Sequence, residues 1–354
     1  TYPNPSVDPV ELVTDLPTPT GVDITVEVTP GAAIDADHAV DGLFRLIQNF
    51  RIIGGSHVYM TLPADDACLG GTLLHYKGMA EGFGYGHRGG VITAPQSTWV
   101  PINYPVHFGS RPFVDGARNP FDLSAAIPAG HESQLRMEWT VSGNDVMDAS
   151  GTITSAILRL TIHRVVGTPE EIRAEMAHQG IVLPPGANLM VPAWTSTIDS
   201  PTATTTDFDT RVVNLPTGGW LKRIWVAIQD ATATRSIRAS DELTRWSINS
   251  PRTNERLYQA FFDQQLSETM FGSLQILDDA ASLINPHAAL GIGNIDLRKR
   301  PVSVIDRRLC DLYGWNMNKV SRGDFTIGEF LNTNAAGDDM LFLFERLQEF
   351  TQPL

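Results

Sequence analysis

The segment GTPEEIRAEMAH, residues 167–178, divides the chain into two halves and predicts a short helix between them. Thr168 is a favourable N-cap, and Pro169 takes the first helical position, where its missing N–H is not needed. Glu171 stands three residues after the cap, where the reciprocal partner of a capping box belongs. These three residues therefore predict the start of a helix at position 169.

The residues that follow predict where this helix ends. Gly180 can adopt the left-handed conformation of a C-terminal cap, and the Pro184-Pro185 pair prevents the helix from resuming. We therefore expect a capped, proline-stopped linker rather than a continuous helix. The predicted organisation is an extended, proline-rich N-terminal arm at residues 1–21, a first jelly roll at residues 22–166, the linker at residues 167–190 and a second jelly roll at residues 191–354.

Both halves have the sequence pattern of short β-strands separated by Gly- and Pro-rich turns. In residues 134–141 polar and apolar residues alternate, and residues 157–165 and 340–346 close their halves with similar apolar strands. Other strands are predicted at residues 22–28, 71–76, 121–127, 191–198, 208–213, 220–228, 243–248, 274–277, 302–305 and 324–331, and two within 43–62 that Gly54-Gly55 separates; residues 77–120 are predicted to be mostly loop.

One longer helix is predicted in the second half, at residues 255–270. Tyr258, Phe262, Leu266 and Met270 recur every four residues, which is the spacing of an amphipathic helix. The fold class predicted for the whole chain is all-β, with two tandem jelly-roll β-sandwiches (a double jelly roll), the short linker helix and this helix. The length of each half favours a jelly roll over an immunoglobulin-type sandwich of about 100 residues.

Composition and charge restrict the classes of partner. The chain has 354 residues, 42% hydrophobic and 19% charged, which is typical of a globular protein with room for two domains. Its formal net charge is −14, and residues 1–44 carry eight carboxylates but no Lys or Arg. Because affinity for phosphate depends on cations, we expect no direct nucleic-acid binding by the N-terminal segment.

Short motifs that would indicate an enzyme lack their structural context. The segment GYGHRG, residues 84–89, matches a dinucleotide fingerprint, but prolines follow it where a helix is required. The segment GGSHV, residues 54–58, lacks the final glycine of a nucleophile elbow. Carboxylate pairs such as Asp278-Asp279 and the basic residues 298–300 are interpreted as surface features.

Metal-binding motifs are also missing from the sequence. No two of the nine histidines lie closer than twelve residues, and the two cysteines, Cys68 and Cys310, cannot form a Cys-based zinc site. A metal held by ligands far apart in the sequence is left open. The sequence assigns no catalytic, cofactor-binding or metal-binding residue, and the chain is predicted not to be an enzyme and to need no cofactor.

The layout resembles the double jelly-roll major capsid proteins of tailless icosahedral viruses, the lineage that includes adenovirus hexon and the membrane-containing phages. The features that carry the resemblance are the two β halves of similar length, the linker at residues 167–186, the closing strands, the helix at 255–270 and the stretch from residue 104 to residue 130. The family has no short diagnostic motif, so the resemblance is architectural.

The resemblance implies a structural role and a set of partners. It implies a homotrimer whose six jelly rolls form a pseudo-hexagonal capsomer of an icosahedral shell. The implied partners are neighbouring capsomers, minor capsid or vertex proteins and, in some relatives, an internal membrane. The implied location is the virion, after assembly in the host cytoplasm. Residues 1–21 are acidic and proline-rich, unlike the basic or amphipathic N-terminal helix with which some relatives contact a membrane.

Two alternative functions accompany this interpretation. The first is a carbohydrate-binding or carbohydrate-active β-sandwich protein, in which exposed tryptophans would stack on sugars. The tryptophans considered for that role are Trp99, Trp194, Trp220, Trp246 and Trp315. The second is a bicupin-type metal enzyme, which shares the tandem β architecture but normally takes its metal through a closely spaced histidine pair.

Overall fold

The structure is a computed structural model. It describes residues 10–12, 18–30, 47–55, 57–62, 100–109, 119–141, 153–199, 212–229, 236–237, 243–261, 302–306, 313–331 and 339–354. Within these ranges the regular structure is β-sheet, apart from one α-helix and a single 3-10 turn at Ala129–His131. None of the described helices is both long and apolar enough to span a membrane.

Seven strands of the first half form two antiparallel sheets. They are β1 (Val10–Leu12), β2 (Pro19–Pro30), β3 (Ile47–Gly54), β4 (Val58–Leu62), β5 (Val100–His107), β6 (Leu135–Val141) and β7 (Ile153–Arg164). One sheet has the order β1-β6-β3-β4, and the other has the order β5-β2-β7.

The second half also forms two sheets. Its strands are β8 (Leu189–Pro192), β9 (Thr195–Asp199), β10 (Val212–Asn214), β11 (Trp220–Gln229), β12 (Ser236–Ile237), β13 (Leu243–Ser250), β14 (Glu255–Phe261), β15 (Val302–Asp306), β16 (Trp315–Asn316), β17 (Thr326–Leu331) and β18 (Asp339–Phe350). One sheet has the order β10-β17-β13-β14. In the other, β18 lies between β11 and the pair β8 and β9, while β12, β15 and β16 also pair with β11.

The two halves have the same connectivity. Taken in chain order, β1 to β7 correspond to β10, β11, β13, β14, β15, β17 and β18. The sheet β1-β6-β3-β4 then matches β10-β17-β13-β14, and β5-β2-β7 matches β15-β11-β18. Two packed sheets connected in this way form a jelly roll. In the second half β8 and β9 also pair with β18, on the side away from β11.

The linker forms the predicted helix, α1 (Pro169–His178), with the predicted capping box. The Glu171 backbone N–H donates to Thr168 Oγ1 at 3.3 Å, and the Thr168 backbone N–H donates to Glu171 Oε2 at 2.7 Å. Gly180 has a φ of 66°, the left-handed conformation expected of a helix stop. The local sequence therefore predicts both the helix and its cap correctly.

The linker is also packed against both halves. The buried apolar residues form two clusters, and Ile172 and Met176 belong to the larger one, which fills the first sandwich. The Gln179 side chain hydrogen-bonds to the backbone of Phe121 and Leu123. From the second half, the Tyr313 hydroxyl donates to the Val182 carbonyl at 3.2 Å. The linker is therefore packed against both halves and is part of the folded core.

The helix predicted at residues 255–270 is wrong over residues 255–261, which form β14. The chain turns back after β13, with Asn254 at a φ of 53°, and Tyr258 pairs with Ile248 in the ladder. Asn in the left-handed conformation is typical of hairpin turns, and Tyr and Phe favour strands. Cross-strand pairing therefore overrides the four-residue spacing; residues 262–270 lie outside the described residues.

The strand predicted at residues 121–127 is also wrong, because this segment forms turns and irregular backbone. The Asp122 side chain accepts hydrogen bonds from the backbone N–H and the hydroxyl of Ser124, which competes with strand pairing. The segment is nevertheless largely buried, and the Ala126 N–H donates to the Met190 carbonyl at 2.9 Å. Its apolar residues fill the core without joining a sheet.

Strands also occur within the arm and the loop that the sequence predicts in the first half. Residues 10–12 and 19–21, predicted to lie in the N-terminal arm, belong to β1 and β2 and pair within the first jelly roll. Residues 100–107 form β5 within a stretch predicted to be mostly loop. The predicted strands at residues 71–76 and 274–277 lie outside the described residues.

Candidate functional site

Strands β11 and β18 belong to a sheet that is buried on both faces. Side chains on one face of these strands, such as Ile224 and Phe342, pack inside the second sandwich. Side chains on the opposite face, such as Trp225 and Leu343, belong to the larger cluster that fills the first sandwich. Because alternate side chains of a strand point to opposite faces, this sheet separates two cores and belongs to both. We call this region the junction.

Aromatic packing connects the two halves at the junction. Phe108 follows β5 in the first half, and Trp194 lies between β8 and β9 in the second. Both side chains are fully buried, and their rings meet edge-to-face with centroids 6.3 Å apart. The Trp194 backbone N–H also donates to the Tyr59 carbonyl at 3.0 Å, so backbone and side-chain contacts cross the junction together.

A cluster of buried charges lies beside these rings. Glu345 Oε2 is 3.4 Å from Lys222 Nζ and 3.5 Å from Arg223 Nε, and all three side chains are at most 1% exposed. The Trp225 indole N–H donates to Glu345 Oε1 at 2.5 Å. Buried charges are tolerated only when they are paired and hydrogen-bonded, so this cluster fixes the relative position of its members.

A β-bulge allows two consecutive cations to reach the same carboxylate. Leu221 pairs with Arg346, whereas Arg223 pairs with Glu345, so Lys222 is the extra residue of β11. Consecutive strand residues normally point to opposite faces, and a bulge redirects one of them. Lys222 Nζ consequently also donates to the carbonyl of Gly109 in the first half, at 2.6 Å. The bulge thus supplies a polar link across the junction.

The residue after Glu345 stabilises the neighbouring turn. Arg346 Nη1 donates to the Thr217 carbonyl at 2.6 Å, and Arg346 Nε donates to the Ala193 carbonyl at 3.3 Å. Burial lowers the pKa of Arg346. Gly219 has a φ of 70°, and a Cβ there would lie 2.3 Å from the Leu347 carbonyl oxygen, so only glycine fits.

A second polar cluster lies on the outer face of the sheet β5-β2-β7. Asp23 lies in the middle strand, and the two strands beside it contribute His107 and His163. Both histidines are registered opposite Gly21, two residues before Asp23, which places all three side chains on one face. The opposite face carries Val22, which is buried in the core.

The carboxylate of this cluster accepts one hydrogen bond from each histidine. Asp23 Oδ1 lies 3.0 Å from His107 Nε2, and Asp23 Oδ2 lies 2.7 Å from His163 Nε2. Burial raises the pKa of Asp23, but the hydrogen bonds from the two histidines outweigh it and hold this pKa below its usual range. At Gly21 a Cβ would lie 2.8 Å from His107 Nδ1, so the glycine makes room for the ring.

A third polar cluster explains the glycine at position 54. The Tyr59 hydroxyl donates to Glu132 Oε1, and His57 Nδ1 lies 2.9 Å from the same oxygen. Burial and the neighbouring Glu132 carboxylate raise the pKa of Tyr59. A Cβ on Gly54 would lie within 2.7 Å of that carboxylate. Gly54 therefore makes room for Glu132 at the end of β3.

Comparison with solved structures identifies the fold, although no protein-family model and no curated protein matches the chain. The STIV major capsid protein superposes with a TM-score of 0.61 and 12% identity, over 98% of this chain and 92% of that chain. A structure from Sulfolobus turreted icosahedral virus gives a TM-score of 0.60, with 13% identity, over 96% and 86%. PBCV-1 VP54, fitted into a reconstruction of the virophage Sputnik, gives 0.51, with 10% identity, over 96% and 88%.

The chain has the double jelly-roll fold of these viral capsid proteins. The match extends over nearly the full length of both partners, so it covers both sandwiches and the linker between them. The predicted all-β double jelly roll with its linker helix and the predicted structural resemblance are therefore confirmed, whereas the helix predicted at residues 255–270 is wrong over residues 255–261.

Within the double jelly roll, the described tryptophans considered for sugar binding have packing roles. Trp194 is fully buried in the junction. Trp220 donates to Glu349 Oε1 at 2.9 Å and packs against Tyr313, while Trp315 packs against Phe325. The structure does not describe the side chains of Trp99 and Trp246. Residues 84–89, Cys68, Cys310 and the basic residues 298–300 also lie outside the described ranges.

No sequence motif singled out the Asp23 cluster. Its two histidines are 56 residues apart, and only the pairing of β5 and β7 with β2 brings them together. The sequence indicates that Gly21 and Asp23 share one face of a strand. It does not indicate which strands pair with that strand, and those strands supply the two histidines. The cluster therefore supplies three potential metal ligands that are far apart in the sequence, the case that sequence analysis left open.

Proposed function

We propose that this protein is a viral major capsid protein, a structural subunit of an icosahedral shell located in the virion. The observation that carries the proposal is the fusion, through the buried junction, of two jelly rolls whose seven corresponding strands have the same order, over nearly the full length of the STIV major capsid protein. The junction keeps the two sandwiches in one fixed arrangement, as a subunit that tiles a shell requires. The proposal assigns the chain no catalytic role.

The repeated topology supports a homotrimer as the assembly unit. One chain contributes two similar sandwiches, so three chains related by a threefold axis would place six similar sandwiches in a ring. Such a ring is pseudo-hexagonal and can pack edge to edge with its neighbours. We propose that the partners are other copies of this chain, in the trimer and in adjacent capsomers. Minor capsid or vertex proteins, and in some shells an internal membrane, complete the proposed set.

The charge of the chain suits this role. A net charge of −14 keeps free subunits soluble and discourages nonspecific association before assembly. It also disfavours direct contact with a nucleic-acid genome, whose phosphates require cations. We therefore assign the assembled protein a shell-forming role without genome binding.

Light scattering coupled to size-exclusion chromatography tests the assembly state. The expected result is a mass three times that of the chain, and negative-stain images should show particles with a hexagonal outline. A protein that stays monomeric at high concentration and over a range of ionic strength, with no hexagonal particles, would overturn the proposal.

A further inference from the structure

We propose that Asp23, His107 and His163 form a binding site for a divalent transition metal ion, with zinc as the preferred ion. One carboxylate oxygen and one imidazole nitrogen from each histidine all lie within 4.8 Å of one another. The site lies in the first jelly roll, on the sheet face that points away from its core. It is independent of the proposed assembly role.

The chemistry of the donor atoms favours zinc. Two imidazole nitrogens and one carboxylate oxygen form a common three-ligand set for zinc, whereas calcium and magnesium prefer oxygen ligands alone. Both histidines direct Nε2 towards the Asp23 carboxylate, His107 to Oδ1 and His163 to Oδ2, so the three side chains meet at that carboxylate. Coordination through Nε2 requires an imidazole whose proton is on Nδ1, because the metal takes the lone pair of Nε2.

The observed distances are close to those that tetrahedral coordination requires. Zinc bonds of about 2.0–2.2 Å separate neighbouring ligand atoms by about 3.3 Å. The two nitrogen–oxygen distances are 2.7 and 3.0 Å, and no pair of donor atoms is more than 4.8 Å apart. Shifts on the order of 1 Å in the side chains accommodate the ion, with no change in the strands.

The backbone around the cluster holds the ligands and leaves a route to solvent. Each ligand is fixed by a different strand of one hydrogen-bonded sheet, and Gly21 gives His107 its place beside β2. The His107 side chain is 5% exposed, whereas those of His163 and Asp23 are 17% and 27% exposed. The ion therefore enters from the side of Asp23 and His163, where a water molecule completes the coordination.

A metal ion bound at this site would cross-link three strands. A metal held by β2, β5 and β7 binds the folded sandwich and not the unfolded chain, so it raises the unfolding temperature. The Phe121 ring packs edge-on against His163, with centroids 5.8 Å apart, and shields one side of the site from water. An ion here would tighten the sheet that also carries Phe108 into the junction.

Metal titration of the full-length protein tests the proposal. Protein stripped with EDTA is titrated with zinc in a calorimeter, and with cobalt while visible absorption is recorded. The expected results are one tight zinc site per chain and the intense visible bands of tetrahedral cobalt. Asp23→Asn and His163→Gln should each weaken zinc binding more than about 100-fold, since even changes outside the ligand shell cost 10–100-fold.

A matched variant and a folding check make the result decisive. His178→Gln alters an exposed histidine of α1, outside the cluster, and should leave zinc affinity and the cobalt spectrum unchanged. Circular dichroism in EDTA shows that each variant is folded; His163 is partly exposed, so His163→Gln provides the test if Asp23→Asn does not fold. Absence of stoichiometric zinc binding, or equal affinity in the wild type and His163→Gln, would overturn the proposal.

Discussion

Glu345 is the one carboxylate of the buried charge cluster at the junction, where it faces Lys222, Arg223 and the Trp225 indole N–H. Replacing it by glutamine preserves the shape but removes the negative charge facing two buried cations. Breaking a buried pair in this way costs about 3–5 kcal/mol. We therefore expect Glu345→Gln to lower the free energy of unfolding by about that amount.

Denaturant unfolding measures this difference, and Glu170→Gln is the matched control. Glu170 is exposed in the first turn of α1, so its neutralisation removes only a favourable interaction with the helix dipole, worth about 0.3–1 kcal/mol. Equal effects of the two substitutions would show that the buried cluster contributes nothing beyond a surface charge.

Single residues also show what the sequence could not predict. Lys222 and Arg223 are adjacent, and strict alternation would send them to opposite faces of β11; the bulge that brings both to Glu345 depends on the pairing with β18. No sequence motif connects His107 with His163, because the hydrogen-bonded sheet and not a sequence spacing places them together. Contacts created by topology have no local signal.

At the scale of elements, α1 depends on its capping box. Thr168→Ala removes the acceptor for the Glu171 N–H, and losses of such caps cost about 1 kcal/mol. We expect this loss to appear in the unfolding of the whole chain, because Ile172 and Met176 bury the helix in the larger cluster. Thr351→Ala, at an exposed site outside regular structure, is the control. A result in which both variants match the wild type would mean that the Thr168 cap contributes no stability.

Elements whose pattern is local were predicted, and those set by their neighbours were not. The cap residues predict α1, and the alternation in residues 22–28 and 134–141 predicts β2 and β6, because each pattern is complete within its own segment. The sequence of residues 255–261 is compatible with both a helix and a strand, and pairing with β13 makes this segment a strand. Residues 121–127 look like a strand because they are apolar, yet no edge of either sheet accepts them as a strand in the described structure.

At the scale of the whole molecule, the junction predicts that both jelly rolls unfold together. Phe108 and Trp194 come from different halves and are fully buried against each other. We expect calorimetry of the monomeric or assembled wild type to show one cooperative unfolding transition. Trp194→Ala should cost about 3–5 kcal/mol and separate the transition into two, since it opens a cavity between the cores.

Trp315→Ala provides the comparison, because Trp315 packs with Phe325 inside the second half alone. It should destabilise the protein while leaving a single transition. Two well-separated transitions in the wild type would contradict a shared core.

The position of the closing strands also sets the order in which the protein can be completed during synthesis. In each jelly roll the strand that is made last, β7 or β18, pairs with a strand made much earlier, and β18 lies between two such partners. Neither sandwich can close until its last strand has left the ribosome. β18 also supplies Glu345 and Leu343 to the junction, so the first half keeps an unfinished surface until then. A chain on which β18 has not yet been made therefore has neither a closed second sandwich nor a finished junction.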